Sequence, residues 1–288
     1  MAGVPHYRVG NLELFVVSDG TIYLDAGAVF GVVPRVLWEP VAGHPNEKNQ
    51  LPLGLNCLVV RAGEQVVLIE TGMGNKVPDR VRETAFPGDY GYLLDNLAKI
   101  GLRPEDVDIV INTHLHADHC GWNTVRRGEL VLPTFPRARY YVQRDEWEDF
   151  LHPNERTRGS YWAENLAPVH EAGQLALVNG ETQITPEVTV IPSPGHTRGH
   201  MSVVISAGGE TAVYLGDVNQ HPAQLERPAW VSAFDVLPLV SLETKRRLVE
   251  QAMAGHWLLF AVHHAFPGVG RLTEEEGRRR WTPEPPPA

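Results

Sequence analysis

The sequence predicts a mixed α/β fold of the α+β kind, with one mixed sheet or two packed sheets flanked by helices. Three observations carry this. Apolar strand-like runs and helix-like runs alternate along the 288 residues. The early strands come as hairpins, which argues against a doubly wound parallel sheet. Residues of metal-ligand type, His114, His196, Asp217 and His263, stand at the C-terminal ends of apolar strands, where a rigid sheet presents loops for site building.

Taken in order, "NLELFVVSDG" is a strand running into a turn. "LNCLVVRAGEQVVLIETG" is a hairpin around "RAGEQ". "YGYLLDNLAKIGL" has apolar residues at helical spacing, with Gly101 as C-cap. "PEDVDIVINTH" is a buried strand, "ARYYVQ" a strand and "RDEWEDFL" a helix. "VTVIPSPGH", "MSVVIS", "TAVYLGD" and "WLLFAVHHAFPG" are strands, and "LPLVSLETKRRLVEQAMA" is an amphipathic helix. The tail "TPEPPPA", residues 282–288, is expected to fray.

Composition narrows the function classes. Apolar residues make up 43% of the chain, enough for a sizeable core, and the formal net charge is −10. An acidic balance argues against a nucleic-acid surface, which needs a basic stripe. The runs Lys245–Arg247 and Arg278–Arg280 read as solvated faces. No apolar run reaches the roughly 20 residues of a membrane span, and the N-terminus lacks the basic and apolar regions of a signal peptide. Two cysteines, Cys57 and Cys120, point to a reducing compartment, so a cytoplasmic protein is expected.

The chemistry concentrates in "THLHADHCGW", Thr113–Trp122. Neutral imidazole is the commonest metal ligand, and aspartate adds a hard anionic oxygen. His114 and His116, two apart on an extended segment, point to one side and can grip one ion. Asp118 and His119 lie past the turn and can serve a second. A two-metal site needs roughly six or seven ligands. The cluster offers four, so further ligands must come from His196 in "PGHTRGH", Asp217 in "LGDVNQH" and His263 or His264 in "VHHAFPG".

These motifs, in this order, resemble those of the metallo-β-lactamase-fold hydrolases from about Leu53 to Gly270. The tail "HHAFPGVGRL…RRRWTP" looks most like the branch of acyl-homoserine-lactone lactonases and methyl-parathion-type organophosphate hydrolases. The resemblance implies a single domain over residues 1–288, built as a four-layer αββα sandwich. It implies two divalent metal ions, zinc first, with iron, cobalt or manganese as alternatives. His114, His116 and His196 would hold one ion, and Asp118, His119 and His263 the other. Asp217 would bridge them beside a hydroxide that attacks a lactone or carboxylic ester, and Asp118 would shuttle the proton. His263 is preferred to His264 because relatives carry the ligand three positions before the phenylalanine of "FPG". The alternatives are an organophosphate triesterase and an iron-dependent, persulfide dioxygenase-like oxidoreductase. A small ester or lactone is the implied partner, without nucleic acid or membrane, and homodimerisation is open.

Two departures stand out. Glu70 replaces the usual aspartate in "IETG", keeping the charge on a longer arm to orient a ligand imidazole from behind. Gln220 occupies the position where some lactonases of this fold carry tyrosine, and its neighbour His221 is a candidate to compensate. His200, Thr197 and His264 are expected behind the ligands or at the pocket. Trp122 is a candidate for the cleft, with core packing as the alternative. Cys120 reads as a small buried thiol. For the aromatics Phe30, Trp38, Trp147, Phe150, Tyr161 and Trp162, packing is favoured over an apolar substrate wall.

Overall fold

Alternation within the strands decides the layers. In the segment after Gln50, Leu58 and Val60 point into one apolar cluster while Cys57 and Val59 point into another. Later in the chain Leu258 and Phe260 face the first cluster and Leu259 a third. A strand with both faces apolar is covered on both sides. The structure, a computed structural model that describes residues 4–287, shows what covers them.

The first half builds β1 (His6–Val9), β2 (Leu12–Asp25), β3 (Gln50–Ala62), β4 (Gln65–Ile69), β5 (Gly88–Tyr90), β6 (Ile109–Ile111), a small ribbon of β7 (Thr124–Arg127) and β8 (Leu130–Pro133), β9 (Arg139–Gln143) and β10 (Leu175–Val178). One sheet runs β1-β2-β3-β4-β6-β9-β10, with β5 on β2. Its hairpins are antiparallel, and β4, β6, β9 and β10 run parallel. The second half builds β11 (Thr182–Gln183), β12 (Val188–Pro192), β13 (Met201–Ala207), β14 (Glu210–Tyr214), β15 (Leu258–Phe260), β16 (Val269–Glu275) and β17 (Arg278–Pro283), which pair in chain order as the second sheet.

The main core lies between the two sheets, where Leu14, Val16, Val60 and Ile111 meet Val190, Val203, Tyr214 and Phe260. Leu93 and Leu97 of helix Leu93–Lys99 cover the back of the first sheet, and Leu248, Val249 and Ala252 of helix Pro238–Ala254 that of the second. The result is the expected αββα sandwich. In the long helix the buried positions 241, 244, 245, 248, 249 and 252 follow the helical repeat, and Pro238 starts it, where a missing N–H costs nothing. Gly101 adopts φ 76° just past its helix, as a left-handed C-terminal residue should.

Three expectations are corrected. Lys245, expected on a solvated face, is buried in the long helix, and its Nζ donates to Trp230 O at 2.7 Å. The tail is held through its first residues: Thr282 and Pro283 pair with Arg271 and Gly270 in β17, and the Tyr7 hydroxyl donates to the Glu284 carbonyl at 3.0 Å. Ala288 lies outside the described residues. The strand in "WLLFAVHHAFPG" ends at Phe260 rather than at the histidines. The chain there leaves its own sheet and is taken up by β3: Asn56 N donates to Val262 O at 3.0 Å and Gly54 N to His263 O at 3.1 Å. The Asn56 side chain adds a hydrogen bond to His264 O at 2.9 Å. A Cβ at position 54 would sit 2.4 Å from that carbonyl, so only glycine permits the approach.

Candidate metal centre and cleft

Each ligand candidate sits a few residues beyond a strand end. His114 follows β6, His196 follows β12, Asp217 follows β14 and His263 follows β15, while Glu70 directly follows β4. His116 caps the short helix Ala117–Cys120, which carries Asp118 and His119. The two sheets therefore deliver their loops to one place. There, ligand atoms of His114, His116 and His196 come together, as do those of Asp118, His119 and His263, and Asp217 joins His114 and His119.

Asp217 divides its carboxylate between the two groups. Its Oδ1 lies 3.3 Å from His119 Nε2 and 3.2 Å from His263 Nε2, and its Oδ2 lies 3.3 Å from His196 Nε2. His116 Nδ1 and His196 Nε2 face each other at 3.0 Å. Asp118 Oδ2 lies 3.6 Å from His119 Nε2 and 3.7 Å from His263 Nε2.

The opposite nitrogens are held from behind. His263 Nδ1 meets the Gly54 carbonyl at 2.9 Å, His196 Nδ1 meets Asp235 Oδ1 at 3.0 Å, and His114 Nδ1 meets Thr113 Oγ1 at 3.0 Å. His119 Nδ1 faces Glu70 Oε2 at 3.4 Å. A rear oxygen that takes the N–H fixes the tautomer and leaves the front nitrogen as a lone-pair donor. The front atoms His114 Nε2, His119 Nε2 and Asp217 Oδ1 are buried without a hydrogen-bond partner. Such orphans are costly in a protein interior, and a bound cation satisfies them. The donor set is nitrogen and oxygen throughout, which suits zinc, iron, cobalt or manganese.

Electrostatics agrees with this fit. Burial disfavours a proton on His119, but Asp217, Asp118 and Glu70 outweigh it and raise its pKa to about 10. Burial works against ionisation of Asp217 as well, yet His263, His119 and His196 hold it well below the carboxylate range. Carboxylates that draw positive charge between them suit a metal cation, which would take the place of a proton there.

Behind the ligands lie the supports. Glu70 adopts φ 64°, and its Oε1 accepts from Thr113 N at 2.7 Å while Oε2 faces His119. The longer arm therefore reaches both the loop of ligand candidates and one candidate, His119. His200 accepts from Asp217 N at 2.9 Å through Nε2 and donates to Ser193 O at 3.0 Å through Nδ1; burial lowers its pKa to about 3, so it stays neutral. Gly216, at φ 58°, lets this loop pass, since a Cβ would lie 2.6 Å from His200 Nε2. Three supports escaped the sequence reading. Asp235 holds His196 and accepts from Ser241. Glu146 accepts from Leu115 N at 2.9 Å, from the Tyr161 hydroxyl at 3.0 Å and from Thr197, joining two ligand loops. Asp19 accepts from Met73 N, Gly74 N, Leu93 N and Trp122 Nε1. In sequence these carboxylates look like exposed turn or helix charges.

Other candidates lie elsewhere. Trp122 is in the core against Leu93 and Leu97, not at the cleft. His221 cannot compensate for Gln220: it packs on Phe30, caps helix Pro222–Glu226 and lines a separate hollow with Val41 and Trp281. His264 points away from the cluster, edge-on to Trp281. Cys120 is buried, with its Sγ on the carbonyls of Leu115 and His116. The cleft above the cluster, about 340 Å³, is walled by Leu24, Phe86, Phe234 and Val236, with Gln220 and Arg156 also lining it. Tyr161, Trp147 and Phe150 pack together behind it instead, as does Phe30 with Trp38.

The model of the metallo-β-lactamase superfamily matches residues 51–263, from before His114 through His263. The chain belongs to this superfamily. It is 27% identical to an N-acyl homoserine lactonase from a Bacillus species over 264 residues, covering 87% of this chain and 92% of the relative. It is 26% identical to a probable metallo-hydrolase of Mycobacterium tuberculosis, covering 69% of each. Among solved structures, a probable metal-dependent hydrolase from Staphylococcus aureus superposes with a TM-score of 0.87 at 27% identity, covering 96% of this chain and 99% of the other. The dizinc quorum-quenching lactonase AidC, at 21% identity, shares the fold with a TM-score of 0.82, covering 98% of this chain and 97% of the other. Among the described residues, no helix is long and apolar enough to cross a membrane.

Proposed function

We propose that this superfamily member is a dinuclear metal-dependent hydrolase that opens lactones or cleaves carboxylic esters. The observation that carries the reading is Asp217, whose two oxygens face two separate ligand groups. His114, His116 and His196 would hold one ion and Asp118, His119 and His263 the other, with Asp217 shared. When bound, such ions supply Lewis acidity and lower the pKa of water so that a nucleophile exists near neutral pH. The names of relatives, N-acyl homoserine lactonase among them, support a lactone as substrate.

The chain's own residues do the rest. Asp118, at the cleft and next to His119 and His263, is placed as a carboxylate to take a proton from the attacking water and pass it to the leaving alkoxide. Gln220 lines the cleft with its Nε2 3.4 Å from Asp217 Oδ2. It donates to a substrate oxygen but cannot deliver a proton as a phenol would. Leu24, Phe86, Phe234 and Val236 receive the apolar arm and exclude water from the reacting end. The two buried free thiols, Cys57 and Cys120, support a reducing compartment, for which the cytoplasm is our placement.

The test is a panel of lactones, aryl esters and paraoxon, run with protein of known metal content. We expect lactone or ester turnover to lead and paraoxon to be slower. Leading paraoxon turnover would move the assignment to a phosphotriesterase. Iron with visible absorbance and no hydrolysis of any member would overturn the reading.

A further inference from the structure

The cleft has a second polar pole. Arg156 lines it together with Phe86, Phe234 and the metal-ligand candidates, but on the exposed side. Two nearby arginines have carboxylate partners: Glu155 lies 3.9 Å from Arg158, and Asp145 and Asp149 lie 3.1 and 2.8 Å from Arg198. Among the described residues Arg156 forms no ion pair; its guanidinium donates to the main-chain carbonyl of Ala233, in the loop that carries Phe234. A carbonyl takes one of five N–H groups and leaves the charge uncompensated. An unpaired guanidinium above an apolar wall, in a chain of net charge −10, is a receptor for an anion.

We propose that Arg156 makes the enzyme selective for esters or lactones that carry a carboxylate beyond the scissile bond. The cluster then engages the scissile group, the apolar wall the connecting carbons, and Arg156 the distal carboxylate. This deepens the ester or lactone reading and rests on it. A neutral acceptor such as an amide would need only a neutral donor, and Thr157 and Ser160 already supply hydroxyls along the same lining.

Two matched substrates test it: the monophenyl ester of glutaric acid, which is anionic, and phenyl methyl glutarate, which is neutral. With the metal-loaded enzyme, Arg156→Gln keeps an N–H donor for Ala233 O but removes the charge. We expect KM for the anionic ester to rise about tenfold, as for loss of one partly exposed charge-assisted hydrogen bond, with kcat little changed and the neutral ester unaffected. Arg156→Lys should recover most of the loss, and added salt should weaken the wild-type preference. Equal changes for both esters would assign Arg156 to loop support and overturn the proposal, as would no change for either. Calorimetric binding of glutarate to wild type and Arg156→Gln gives a readout independent of turnover. If neither ester is hydrolysed, the ester reading fails. Weaker glutarate binding in the variant would still support an anion site at Arg156, and equal binding would overturn it.

Discussion

At the floor of the cleft, five imidazoles and two carboxylates converge, and four of those imidazoles are backed by an oxygen that fixes the ring. At the rim, Leu24 stands at the end of β2 while Phe86, Arg156 and Phe234 come from separate connections, and among the described residues the Arg156 guanidinium has only a main-chain carbonyl as its hydrogen-bond partner. The floor is over-determined by hydrogen bonds from both sheets, whereas the rim is set by loop path and apolar contact. On the proposed function, reaction chemistry belongs to the first and substrate choice to the second. Substitutions at the floor should therefore change metal content and kcat, and substitutions at the rim should change KM alone.

The largest expected effect is Asp217→Ala. Removing the shared carboxylate should cost more than about 10³-fold in kcat/KM and most of the bound metal, checked by elemental analysis beside kinetics. Full turnover with both metals retained would break the division. Next comes Asp235→Asn, which weakens the support of His196 without touching a proposed ligand. Metal affinity should fall about 10–100-fold, while excess metal should restore much of kcat. Phe234→Ala belongs to the rim. KM for substrates with apolar arms should rise by about tenfold, the low end of what one lost apolar contact gives, with metal content untouched.

The smallest effect concerns pH. Burial holds His221 neutral, with its pKa lowered to about 4. A lowered folded-state value means the unfolded chain binds the proton more tightly. The stabilisation is therefore complete above about pH 6.5, the unfolded value, and is lost as pH falls toward 4. His221→Asn keeps a side-chain acceptor for Ala223 N and removes the titration. Denaturant midpoints measured between pH 7 and 4 should fall less steeply in that variant than in wild type.

The same contrast explains what could be read from the chain. The strands, the long helix and the ligand candidates were legible because apolar periodicity and the density of "HLHADH" are local signals. The preference for His263 over His264 came from the family spacing. Geometrically, His263 faces the cluster because β3 captures residues 261–264 through Asn56 and Gly54, a pairing more than two hundred residues apart in sequence. Asp235, Glu146 and Asp19 were illegible because their burial is created by distant segments, and nothing adjacent marks them. His221 and Trp122 lie within four residues of ligand candidates in sequence yet face other neighbours, since closeness along a turn does not fix direction. The rim was least legible: Phe86, Arg156 and Phe234 share no motif and meet only through loop paths.

The most direct test of the two-group centre is titration of zinc into metal-free protein, followed by calorimetry, for wild type, His263→Ala and His264→Ala. The geometry predicts two equivalents for wild type and for His264→Ala, and loss or strong weakening of one equivalent for His263→Ala. A single equivalent in wild type, or loss of an equivalent in His264→Ala with His263→Ala intact, would contradict it.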